Sequence, residues 1–265
     1  METIKISLGF LELALALKFL SNVDLAYHWQ WLDREVFLVL WIMITGCFSA
    51  FLLGLLRLSA IPEKIVVPRL FLGIIVGAFA LYMLPGLWGA PLKSVAAFLP
   101  PQDTQDFDLY TPSITGSSVS VPEKVKYADL FHAPLGLKAF FDYQEGLAYA
   151  RKVNKPILID FTGHACVNCR KMEATVWPDK AVLPLIRDEY VLIQLYVDDK
   201  TATADGSTIG KTNMAIQAEK FNSNSQPFYV LLDPHSEKAL VPPQGAEYDP
   251  VVYATFLKQG LEQYP

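Results

Sequence analysis

The hydrophobic and polar positions divide the chain in two. Through the first hundred residues apolar runs dominate. Residues 36–56 hold 21 positions without a charge, and residues 70–92 hold 23 more. About 20 apolar residues carry a helix across a bilayer, so both runs read as transmembrane helices. A third run, residues 6–20, is interrupted by Glu12 and Lys18. Charges inside a span are costly unless they face a bundle interior or snorkel to an interface. This run reads as a third span. A signal peptide is the other reading, and Glu12 and the lack of a small-residue cleavage site argue against it. Residues 100–121 then form a linker rich in Pro, Ser, Thr, Asp and Gln. Residues 122–265 have the pattern of a soluble domain, long enough to bury its own core. The expected division is therefore membrane helices in 1–99, a linker in 100–121, and a folded domain in 122–265.

Within that domain the period alternates. Residues 137–153 show helical spacing, with Phe140, Phe141, Leu147 and Ala148 on one face, and the step from Lys155 to Pro156 ends it. Residues 157–162 are a short apolar run and read as a buried strand. A helix should start near Cys166 and run towards Val176, with Pro178 helping to end it. Residues 190–197 read as a strand, 201–210 as a polar loop, 213–221 as a short helix and 227–232 as a strand. A last helix covers 249–263. Helices alternating with strands imply an α/β sandwich around a central sheet.

Composition sharpens the division. The 265 residues are 52% hydrophobic and only 18% charged, where soluble chains carry about 25% charge. The net charge of −5 argues against a nucleic-acid binder, since such domains are usually basic. Loop charge gives an orientation. Residues 57–69 carry Arg57, Lys64 and Arg69 against Glu63, whereas residues 21–34 carry Asp24 and Asp33 against Arg34. The positive-inside rule puts the second loop in the cytoplasm. The chain beyond Leu92 then lies outside it. Tyr27, Trp29 and Trp31 fall where an interfacial aromatic belt is expected.

The chemistry centres on residues 161–171, FTGHACVNCRK. Three residues along a first helical turn bring the sulfurs of Cys166 and Cys169 to bonding distance. A CxxC between a strand and a helix reads as a redox pair. Cys166 would sit at the helix N-terminus, where free N–H groups and the dipole favour a thiolate, with Arg170 and Lys171 adding positive charge. Cys169, one turn in, could resolve a mixed disulfide. The alternatives are a static disulfide, half of a zinc site that lacks its second ligand pair, and a copper site of His164, Cys166 and Cys169. Asp160 lies in an apolar run, so burial should raise its pKa and suit it to shuttle a proton for the deeper thiol; an edge-exposed or hydrogen-bonded strand Asp is the plainer reading. Glu173 falls at i+4 from Cys169 and could act on the thiols, or be a solvated helix residue. Pro227 opens a strand, where proline is tolerated. Residues 206–212, GSTIGKT, mimic a phosphate loop, but three residues rather than four separate the glycines, and Asp205 stands in the first glycine's place.

Residues 155–173, KPILIDFTGHACVNCRKME, and 190–199, YVLIQLYVDD, resemble the C-terminal thioredoxin-like domain of DsbD-type thiol:disulfide interchange proteins, in their Bacteroidetes-like branch. Residues 9–22, GFLELALALKFLSN, and 32–37, LDREVF, are similar to the late helices of that family's membrane domain. The resemblance implies a fold of about three transmembrane helices followed by an α/β thioredoxin-like domain, in the bacterial inner membrane and facing the periplasm. It implies that Cys166 attacks, that Cys169 resolves, that Asp160 and Glu173 are the acids beside the pair, and that Pro227 is the cis-proline facing the disulfide. No cofactor is implied beyond the redox-active Cys166–Cys169 disulfide. The implied partners are periplasmic disulfide-containing proteins, serving disulfide isomerisation or cytochrome c maturation, together with membrane lipid and no nucleic acid. The family's membrane domain has about eight helices and an intramembrane cysteine pair. Here there are three spans and one membrane cysteine, Cys47. The expectation is a C-terminal piece, or a chain whose remaining helices are a separate subunit. A disulfide-donating oxidase or isomerase, and a tethered adaptor, are the competing functions.

Overall fold

A computed structural model describes residues 2–56, 58, 65–106, 109 and 125–264. Arg57, Glu63 and Lys64 of the orientation argument, and most of the linker, lie outside the described residues. The chain forms two compact units, and residues 26–28 belong with the second.

The first unit is helical. Helix α1 spans Glu2–Tyr27, α2 Arg34–Leu52 and α3 Val67–Met83, the last extended by a 3-10 turn, Leu84–Trp88. Among the described residues two helices are long and apolar enough to cross a membrane: Arg34–Leu52, 19 residues, and Val67–Trp88, 22 residues. At 1.5 Å per residue these reach about 28 and 33 Å, close to the bilayer core of about 30 Å. Helix α1 is 26 residues long but carries Glu2, Lys5, Glu12, Lys18 and Asp24; it exposes Leu8, Leu11, Leu15 and Phe19, while Ile6, Phe10 and Leu17 pack against α2. Helices α2 and α3 approach closely at small residues. The Ser49 hydroxyl donates to the Gly73 carbonyl at 2.7 Å, and a Cβ on Gly77 would stand 2.8 Å from the Ser49 oxygen. Arg69 donates to the carbonyls of Leu52 at 3.0 Å and Phe51 at 2.8 Å, satisfying the last turn of α2.

The second unit is a four-stranded mixed sheet with helices on both faces. Its strands are β1 Ala139–Phe140, β2 Ile157–Thr162, β3 Val191–Tyr196 and β4 Phe228–Leu232, in the order β1-β3-β2-β4. Strand β3 runs parallel to β1 and β2, and β4 is antiparallel to β2. Every residue of β2 and β3 is buried, which is why both read as continuous apolar runs rather than alternating ones. Leu158, Leu192 and Leu231 pack on Met172 of α5 (Val167–Thr175), on its C-cap Val176, and on Tyr253 and Leu257 of α7 (Pro250–Gln263). Ile159, Phe161, Ile193 and Val230 pack on Tyr143 and Leu147 of α4 (Tyr143–Val153) and on Ile216 of α6 (Ile209–Phe221).

In the first unit the helices α1, α2 and α3 are shifted from the runs 6–20, 36–56 and 70–92 by several residues at one or both ends; in the second unit two starts differ from the sequence reading by several residues. Residues 137–153 are not one helix: Ala139 and Phe140 pair with Leu192 and Ile193 as an edge strand. The helix begins only at Tyr143, because the Asp142 side chain caps it by accepting the Glu145 N–H at 3.0 Å. Helix α6 starts at Ile209, four residues before the expected Asn213, because Thr208 caps it by accepting the Lys211 N–H at 3.3 Å. The stretch that mimics a phosphate loop is thus a helix entry.

Gly210, at the start of α6, shows how tightly this entry packs. A Cβ there would meet the backbone O and N of Asp199 at 2.6 and 2.7 Å, and backbone yields little. Gly210→Ala should therefore destabilise the second unit by about 2 kcal/mol, read as a lowered midpoint in chemical unfolding. At Gly245 the first atom a Cβ would meet is 3.8 Å away. Gly245→Ala should stay within about 0.5 kcal/mol of the parent.

Candidate active site

The site is built at the junction of β2 and α5. After Thr162 the chain turns through residues 163–165 and enters α5 with Cys166 as its N-cap. The Asp198 carboxylate fixes this turn, accepting the N–H of His164 on Oδ1 and of Ala165 on Oδ2, both at 2.9 Å. A Cβ on Gly163 would stand 2.9 Å from Asp198 Oδ2, so glycine lets the carboxylate approach. Cys166 Sγ then accepts the Cys169 N–H at 3.1 Å, as a serine oxygen does at other caps. The two sulfurs are bonded, with Cα atoms 5.3 Å apart. Cys166 is half-buried, whereas Cys169 is 1% exposed. One sulfur can therefore be reached from solution and the other is shielded.

Three charged side chains are buried around the pair. Asp160 stands on β2 opposite Gln194 of β3 and Tyr229 of β4. Its Oδ2 accepts the Gln194 amide N–H at 3.0 Å. Burial pushes its carboxyl up to about 6, against the pull of the Gln194 hydrogen bond and the Arg170 charge. Arg170, next to Cys169, pairs with Glu173 at 2.8 Å and donates to the Thr162 hydroxyl at 3.2 Å. Glu173 is therefore neither solvated nor a free charge beside the thiols. Arg170, for its part, is buried in this pair rather than an open positive charge. Lys171 instead lies outward, its ammonium 3.8 Å from the Tyr248 ring centroid, and the Tyr248 hydroxyl donates to Asn168 at 2.8 Å.

The Gln226–Pro227 peptide bond is cis, and Pro227 leads directly into β4, which pairs with β2 from Phe228. The structure thus places Cys166, Cys169 and Glu173 on one helix entry and Asp160 on the strand that feeds it. His164, the third donor of the copper reading, engages Tyr196 and Asp199. Its ring stacks on Tyr196 with centroids 4.6 Å apart, and its Nε2 lies 3.0 Å from Asp199.

Sequence reasoning assigned nothing to Asp198 or Asp199. The available signal was the pair of acids straight after a buried strand, where a parallel sheet delivers its loops to one edge.

Residues 138–234 match a family model described as thioredoxin-like, and they form a thioredoxin-like domain. The solution structure of a thioredoxin from Thermus thermophilus is similar over 46% of this chain and 85% of that one. It is 21% identical, with a TM-score of 0.37. No curated protein matches the chain significantly.

The raised Asp160 carboxyl sets a pH dependence. Its ordinary value is 3.8 and its folded value about 6. Between the two, the folded chain keeps a proton that the unfolded chain has released. Stability therefore falls as pH rises through this window, by about 3 kcal/mol in all, and is level above it. Asp160→Asn should abolish this fall and leave the oxidised protein more stable than the parent at pH 7.5. Urea unfolding at pH values from 4 to 7.5 checks it; parallel curves for parent and variant would show that Asp160 does not titrate in this way.

Proposed function

We propose that this chain is a membrane-anchored thiol:disulfide reductase of the DsbD type, delivering electrons to periplasmic proteins through Cys166 and Cys169. The observation that carries the reading is the asymmetry of the two sulfurs: Cys166 half-buried at the N-cap of α5, Cys169 buried one turn in. The thioredoxin-like fold is consistent with thiol–disulfide redox chemistry, and two helices suited to a bilayer are consistent with membrane association. The DsbD-type assignment, with α1 as a third span and the domain outside the cytoplasm, extends the resemblance of residues 9–22, 32–37 and 155–199.

In the reduced chain the Cys166 thiolate, stabilised by the N–H groups and dipole of α5, attacks one sulfur of the partner's disulfide. The partner's other sulfur leaves as a thiolate, and a mixed disulfide forms. Cys169 loses its proton and attacks Cys166 Sγ, closing the internal disulfide and releasing the partner's second thiolate. Two electrons pass to the partner. Asp160 is the proton acceptor in this scheme: a buried carboxylate titrating at about 6 takes a proton readily at neutral pH. Glu173 positions Arg170, and Pro227 borders the partner's binding edge. No organic cofactor or metal enters the exchange. Electrons would come from partner helices or a subunit bearing an intramembrane cysteine pair, since Cys47 is a single thiol.

The reading is tested on the full chain in detergent. The Cys166–Cys169 couple should equilibrate at about −200 to −270 mV, the range of glutaredoxin- and thioredoxin-like reductants. A value near −120 mV would make it an oxidant instead. Cys166→Ser should abolish reduction of a disulfide substrate, and Cys169→Ser should accumulate the mixed disulfide. Substrate reduction unchanged in Cys166→Ser would leave only a structural disulfide.

A further inference from the structure

Two imidazoles and a carboxylate converge beside the redox loop. His28 lies in the segment of residues 26–28 that folds with the second unit. Its Nε2 is 2.7 Å from Asp199 Oδ2, and His164 Nε2 is 3.0 Å from the same oxygen. The three ligand atoms lie within 4.8 Å of one another. Asp199 is fixed from behind, because its other oxygen accepts the Thr201 N–H at 2.9 Å. The His164 ring is held by its stack on Tyr196, and the His28 ring stands edge-on to Phe131, with centroids 5.4 Å apart. Asp199 and His164 are buried, while the His28 side chain keeps 17% of its surface exposed, leaving a way in from solvent.

We infer that His28, His164 and Asp199 form a binding site for a divalent zinc-class cation. The donor set is the first reason. Two imidazole nitrogens and one carboxylate oxygen are a three-ligand zinc set with a fourth position open to water. They do not supply the six or more oxygens that calcium or magnesium requires. Convergence is the second reason. Both rings aim Nε2 at one point, as a shared ion demands, while the Thr201 hydrogen bond and the aromatic packing supply the outer contacts that orient metal ligands. Distance is the third. Ligands about 2.0–2.1 Å from a tetrahedral zinc stand about 3.3 Å apart, so the observed 2.7 and 3.0 Å need open by about 0.6 and 0.3 Å. Without the ion, the ring N–H groups can satisfy the carboxylate, so the empty site is stable. Burial alone would raise the Asp199 carboxyl, but the hydrogen bonds from His164, His28 and Thr201 outweigh it and hold the group well below the ordinary carboxylate range. His164 is two residues before Cys166, so an ion here would add positive charge next to the exchange centre.

The test uses the full, untagged chain in detergent with the Cys166–Cys169 disulfide kept oxidised, so that the thiols cannot bind metal. Titration calorimetry with zinc chloride should show one equivalent bound. His164→Gln, His28→Gln and Asp199→Asn should each weaken binding by at least about 100-fold. Cobalt(II), substituted for zinc in the parent chain, should give the intense visible bands of a four-coordinate ion. That reading needs no variant and decides the matter should the substitutions unfold the domain. No zinc uptake by the oxidised chain, uptake only after the disulfide is reduced, equal uptake by folded His28→Gln and His164→Gln, or the weak bands of six-coordinate cobalt would each overturn the inference.

Discussion

The grip of the Asp198 carboxylate on the N–H groups of His164 and Ala165, at 2.9 Å each, sets where the first sulfur lies. These donors belong to a turn with no ladder partner, and the part-buried N–H of His164 in particular needs one. Asp198 pairs them from the loop after β3, so the C-terminal edge of one strand shapes the exit of its parallel neighbour. With the turn held, Cys166 can only be the N-cap of α5, and the helical rise then carries Cys169 inward. The close approach needs a residue without Cβ at Gly163. Loosening any one of these parts would let the first sulfur drift from the helix axis, and with it the field that favours a thiolate.

In the proposed membrane-anchored reading a different constraint would govern the first unit. Lipid tails are as apolar as leucine, so in a bilayer helices gain little from burying hydrophobic surface against one another. Helices α2 and α3 meet at small residues, with the Ser49 hydroxyl on the Gly73 carbonyl and a Cβ at Gly77 crowding the Ser49 oxygen, and at apolar contacts such as Phe51 and Leu52 with Val76. Arg69 is retained there because it satisfies the exposed carbonyls at the end of α2. Apolar side chains of α2 and α3 that face away from these contacts, such as Met43, Phe71 and Ile75, remain exposed, which suits lipid rather than water.

The elements legible in the sequence were those whose signal is local. Strands β2 and β3 showed as apolar runs because both faces are buried, and α5 and α7 began where their caps, Cys166 and Asp249, stand. The edge strand at Ala139 and Phe140 was not legible. It is two residues long and exists only through pairing with β3, a contact between positions more than fifty residues apart in the chain. In the site, the two cysteines and the burial of Asp160 could be read from spacing and from the apolar run around it. The Arg170–Glu173 pair could not, since a charged helix residue reads as solvated unless its partner is known to be buried with it. Asp199 and His28 are 171 positions apart. Only the fold brings them together.

The two buried acids beside the cysteines answer different electrostatic problems. Glu173 is buried against a cation, and Arg170 is buried against an anion and a hydroxyl. Each neutralises the other, so neither has reason to change charge during exchange, and removing one would strand the other. Asp160 is hydrogen-bonded to a neutral amide, that of Gln194, and feels Arg170 at longer range. Ionising it in that setting is costly enough to lift it towards neutrality, yet the amide and the arginine keep ionisation within reach. A group in that balance changes charge at little cost near physiological pH, which a paired acid does not. In the proposed exchange the inner sulfur, shielded from water, would have to lose a proton to attack. The outer thiol, at the helix N-cap, would need no such help, because backbone N–H groups favour its thiolate. The proposed division of labour between the cysteines thus rests on which one the fold leaves at the helix end and which one it buries.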